Sequence, residues 1–63
     1  MSGKTRQERE QELQLLLATP AGRSQLQQLE NRYVNESGRP RPPKTSVITY
    51  ILVYERERGS IHG

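Results

Sequence analysis

Arg39, Arg41 and Lys44 put three cations within six residues, interleaved with Pro40, Pro42 and Pro43. Here residue type and spacing point to a chemistry: attraction of phosphate or carboxylate groups from a stiff support. Proline fixes φ and removes backbone donors, so the segment reads as extended and semi-rigid, near polyproline II. It projects charge outward with less ordering entropy to lose than a flexible loop has.

The charge distribution singles out the same stretch. Lys4, Arg6 and Arg9 balance Glu8, Glu10 and Glu12, Arg23 and Arg32 balance Glu30 and Glu36, and Arg56 and Arg58 balance Glu55 and Glu57. The whole net charge of +3 therefore lies in Arg39, Arg41 and Lys44, and the mixed-sign segments read as solvated helix faces. Gly38-Arg39-Pro40, with Arg41 and Lys44 behind it, resembles the AT-hook, whose core is Arg-Gly-Arg-Pro. That resemblance implies arginines entering a narrow A·T minor groove. Ser37 stands where the first core arginine belongs, which removes one of the pair flanking the glycine. Neutralising three phosphates gives a salt slope of about −2.7, a weak and salt-sensitive hold. Pro40 and Pro43 also carry Pro-x-x-Pro spacing, but Ser37 and Thr45 occupy the positions where an orienting basic residue is wanted.

Catalytic chemistry finds little to work with. The chain has no Cys, no Asp and one histidine, His62, which follows the last expected helix. Glu8 and Glu12 share a helical face at i, i+4, the ordinary pattern of a solvated surface rather than an acid/base pair. There is no Gly-rich phosphate loop and no metal-ligand spacing, so the expectation is a non-enzyme without cofactor, metal or small-molecule substrate. Helices two and three are too far apart for a helix–turn–helix; the Thr19-Pro20 junction is tight enough, and Gln25, Gln27, Gln28 and Asn31 after it could read base edges, but they read first as a solvated face.

The elements that must position these residues are three helices. Thr5 and Glu8 have the spacing of a capping box, opening a helix over 5–18 whose apolar face is Leu13, Leu16 and Leu17. Thr19-Pro20 breaks it and starts a second, 20–36, with Leu26, Leu29 and Tyr33 on one face and Gly38 as a left-handed stop. A connector follows over 38–45. The window Val47–Tyr54 is rich in β-branched and aromatic residues, so a strand over 47–54 is the runner-up reading. A strand needs a partner, however, and no second β-like run exists. Thr45 or Ser46 as N-cap and Gly59 as stop favour a helix over 46–58. It is apolar almost all round, which makes it the central element. Tyr50 and Tyr54 share a face at i, i+4, with Tyr33 placed to join them at the core edge or, alternatively, in a base-stacking platform.

The expected architecture is thus a small all-α three-helix module, one domain over 5–59, with tails at 1–4 and 60–63. Sixteen residues are Leu, Ile, Val or Tyr, and only 30% of the chain is hydrophobic. Chains this short bury about 60% of their unfolded surface and usually need a staple. Disulfides are excluded, so self-association or a protein partner is the expected one. The contact surface would draw on Leu13, Leu16 and Leu17 with Val47, Ile51 and Tyr54. The longest apolar run, eight residues, is far short of the ~20 that span a bilayer. Leu13–Ala18, preceded by three glutamates, is too short for a signal peptide, so a cytoplasmic location is expected. The expected role is a non-catalytic interaction or accessory protein. The alternative is a weak nucleic-acid binder using Arg39, Arg41 and Lys44.

Overall fold

The computed structural model describes residues 4–62, and within them the chain is all-α with a short terminal pairing. In order it forms β1 (Lys4–Thr5), α1 (Arg6–Leu17), α2 (Pro20–Ser37), α3 (Val47–Arg58) and β2 (Ile61–His62). Each helix starts where a side chain satisfies a free backbone donor. At α1 the Glu8 amide donates to Thr5 Oγ1 at 3.2 Å and the Thr5 amide to Glu8 Oε1 at 3.0 Å, a complete capping box. At α2 the Gly22 amide donates to Thr19 Oγ1 at 2.9 Å, with Pro20 in the first turn. At α3 the Thr49 amide donates to Ser46 Oγ at 3.2 Å.

Val47–Tyr54 is helical, not a strand. Its β propensity yields because the helix satisfies its own backbone and lays Ile48, Ile51 and Leu52 on one buried stripe. These are three of the seven buried apolar side chains; Leu13, Leu26, Tyr33 and Ile61 complete the core. The three helices pack mutually, and Val53 on the far side of α3 is 46% exposed. The junction of α1 and α2 depends on Gly22. A Cβ there would lie 2.0 Å from the Leu16 carbonyl oxygen, so the two backbones could not otherwise approach this closely.

The expected tails need correcting. Residues 1–3 and 63 lie outside the described residues, but Lys4 and Thr5 pair in parallel with Ile61 and His62. Gly59, at φ 82, turns the chain out of α3 and back, and Ile61 is then 5% exposed. An apolar side chain two residues past a left-handed cap has a core within reach, and its burial holds the segment down.

Candidate functional site

The Pro-rich connector is held on both sides by Arg41. Its Nε donates to Glu30 Oε2 on α2 at 2.7 Å, and its Nη1 donates to the Thr45 carbonyl. Thr45 closes a turn by donating its amide to the Pro42 carbonyl at 3.1 Å. Between this strap and the outer face of α3 runs a groove of about 490 Å³. Pro40 and Pro42 form one wall and Tyr50, Val53 and Tyr54 the other, with Thr45 and Thr49 as polar points and Arg39 and Glu57 as charges.

The Tyr54 ring is fixed in place. It stacks on Tyr33 with centroids 4.3 Å apart and an interplanar angle of 21°, and its hydroxyl donates to Glu36 Oε1 at 3.0 Å. The Arg58 guanidinium stands 5.5 Å from the Tyr54 centroid and 5.8 Å from that of Tyr33. Desolvation and the bond to Glu36 raise the Tyr54 phenol above its ordinary value, while the same bond and Arg58 lower Glu36. Tyr50 lies 6.4 Å from Tyr54, tilted by 32°. The Tyr50 hydroxyl is buried without a hydrogen-bond partner among the described residues, an arrangement costing about 1–3 kcal/mol. It is covered by protein, so Tyr50 offers the groove a ring and not a polar group.

The residues expected at a contact surface divide sharply. Leu13 and Ile51 are 0% exposed and form the centre of the core, so they cannot meet a partner. The apolar spacing that picked them out is the spacing of a core stripe. Leu16 and Val47 are half-buried against the same core, while Leu17 is 37% exposed and Tyr54 lines the groove. Two exposed apolar side chains were not anticipated: Val53 in the groove and Leu15, 72% exposed on the outer face of α1. Of the three cations, Arg41 is spent on Glu30 and Thr45; Arg39 and Lys44 form no ion pair among the described residues. Arg39 lines the groove and Lys44 does not.

Sequence reasoning missed a second cluster altogether. Glu55, read as part of a solvated Glu-Arg-Glu-Arg run, is 5% exposed. Arg9 donates from Nε to Glu55 Oε1 at 2.8 Å and from Nη2 to Oε2 at 2.9 Å, and Tyr33 Oη donates to Oε2 at 2.5 Å. Arg9 Nη1 reaches Glu12 at 3.1 Å, and Glu12 also pairs with Lys4. One carboxylate thus joins three helices, since Arg9 sits on α1, Tyr33 on α2 and Glu55 on α3. The signal was present, since Glu55 continues the stripe of Ile48 and Ile51, and Arg9 lies one turn before Leu13. Glu55 holds the guanidinium further above its ordinary value, and burial with the Glu55 bond pushes the Tyr33 phenol up to about 12. A carboxylate with its oxygens so engaged beside a permanent cation and a weakened phenol acid is a fastening, not a proton-transfer pair.

Among the described residues no group of three or more His, Cys, Asp or Glu is placed to hold a metal ion, and no helix is long and apolar enough to cross a membrane. Compared with known proteins, the chain matches no family model, no curated protein and no solved structure.

Proposed function

We propose that this chain is a small non-catalytic interaction module that takes an extended apolar or proline-rich segment of a partner protein into the groove between connector and α3. The observation that carries the reading is the composition of that groove. Its walls are flat rings and prolines, Pro40, Pro42, Tyr50, Val53 and Tyr54, with a few polar points along them. Such walls suit a chain whose rings lie flat on them and whose backbone groups are unpaired and free to meet Thr45 and Thr49. Arg39 and Glu57, neither in an ion pair among the described residues, give the groove two opposite charges with which to orient the segment. The locked Tyr54 ring and the Arg41 tether lessen the ordering that binding requires.

The Glu55 cluster supplies an internal staple, which weakens the case that this small chain must self-associate. The alternative of nucleic-acid binding has fewer cations than the sequence suggests. With Arg41 occupied, two phosphates neutralised by Arg39 and Lys44 give a salt slope of about −1.8. A cytoplasmic setting is part of the proposal, on the poor match of Leu13–Ala18, with three glutamates before it, to a signal peptide.

The test is selection from a displayed library of extended peptides on the intact protein, followed by binding to Val53→Asp. Val53 is 46% exposed, so the substitution changes the groove and not the core. Peptides that lose at least tenfold affinity for Val53→Asp support the reading. Enriched peptides indifferent to it, or none enriched, would overturn it.

A further inference from the structure

We infer that Lys4–Thr5 and Ser60–His62 form a latch beside the Arg9–Glu55 pair, one that can open without disturbing the packing of α2 on α3. Four observations converge on it. Among the described residues the two short strands pair only with each other, Lys4 with Ile61 and Thr5 with His62. Ile61 is the strap's buried anchor at 5% exposure, and the Ser60 amide donates to the Glu55 carbonyl at 2.9 Å. Lys4, Ser60 and Ile61 line the same small cavity as Arg9 and Glu55, so the strap flanks that pair directly. Lys4 also pairs with Glu12, the second acceptor of Arg9, which ties the latch to α1.

The hold is small in extent. One apolar side chain, a two-residue pairing, the Ser60 amide bond and the exposed Lys4–Glu12 pair keep the strap down, whereas α2 and α3 share Leu26, Tyr33, Ile48 and Leu52 in the core and the Tyr33–Tyr54 stack besides. Local openings follow such differences in buried contact. Lifting residues 60–62 hydrates Glu55, loosens its grip on Arg9 and frees the first half of α1, while the groove on the other side of α3 keeps its shape. This device acts independently of what the groove binds.

Native-state hydrogen exchange on the unmodified protein tests it. The Ser60 and Glu10 amides should exchange through one shared opening, at least tenfold faster than the Leu29 and Tyr54 amides. A single common rate for all four would overturn the latch. In Ile61→Asp the chain should stay helical, Ser60 and Glu10 should exchange at least tenfold faster still, and the Tyr33 phenol should titrate below its value of about 12. An Ile61→Asp chain without helical signal, or one whose four amides accelerate together, would show instead that Ile61 holds the whole fold.

Discussion

The Arg9 guanidinium grips both carboxylate oxygens of Glu55, 46 residues away, at 2.8 and 2.9 Å. This contact ties the chain's first helix to its last, alongside their shared core. A buried pair of this kind adds little over a well-packed apolar pair, but losing one partner strands the other. Arg9→Ala, which strands the buried Glu55 carboxylate, should therefore lower unfolding free energy by about 3–5 kcal/mol, and Glu55→Ala by less, because Arg9 is partly exposed and keeps Glu12. The joint Arg9→Met, Glu55→Leu chain should recover most of that. Urea denaturation of the parent chain, Arg9→Ala, Glu55→Ala and the Arg9→Ala, Glu55→Ala double gives the cycle, and additive losses in that double variant would contradict the coupling.

Gly22 and Gly38 should respond differently to alanine. At Gly22 the new Cβ meets Leu16 backbone atoms at 2.0 and 2.6 Å, which no side-chain motion relieves. The expected loss is about 2–4 kcal/mol, through displacement of α1 from α2. At Gly38 nothing lies within 4 Å and only the φ of 73 is strained, so the loss should be about 1–2 kcal/mol. Thermal or urea midpoints read the ranking; equal effects would mean the helix junction is slacker than the geometry shows.

Alkaline stability should depend on Tyr33. Its phenol is raised from 10.0 to about 12, first by burial and then by the Glu55 bond, so the folded chain holds the proton more tightly than the unfolded one. The resulting stability is fully present below pH 10 and is lost as pH rises through about 12. Tyr33→Phe should flatten that decline while lowering stability at neutral pH, because Glu55 loses a donor. Urea midpoints between pH 8 and 12 decide it, and an identical slope in the variant would remove Tyr33 as the cause.

The acid side has the opposite sign. Glu12, lowered by Lys4 and then Arg9, and Glu36, lowered by Tyr54 and then Arg58, favour the folded state when ionised. Their contribution is present above the ordinary carboxylate range and lost as pH falls through their folded values. Both are solvent-facing, so added salt should shrink the effect. A pH dependence below 5 that salt leaves unchanged would point elsewhere.

Much of this architecture was readable from local signals, because a cap is decided within four residues. Thr5 with Glu8, Thr19 with Pro20, Ser46, Gly38 and Gly59 all mark real boundaries. The helical state of Val47–Tyr54 followed from a missing strand partner rather than from its own composition. The Glu55 cluster was not readable in the same way. Its burial depends on Arg9 and Tyr33 arriving from 46 and 22 residues away, and alternating Glu and Arg in a row looks the same whether solvated or fastened. Arg41 was misjudged for a like reason: its partner Glu30 lies across the connector on α2. Leu13 and Ile51 show the converse limit, since apolar spacing identifies a buried face without saying whether its own chain covers it.

The central claim, that the groove between connector and α3 receives a partner segment, is tested most directly by amide chemical-shift mapping with a library-selected peptide. Shifts should concentrate at Thr49, Tyr50, Val53 and Tyr54 and at Arg39, Arg41, Lys44 and Thr45, and should vanish at equal peptide concentration in Val53→Asp. Shifts centred on Leu15 and the outer face of α1, or a pattern that Val53→Asp leaves intact, would contradict it.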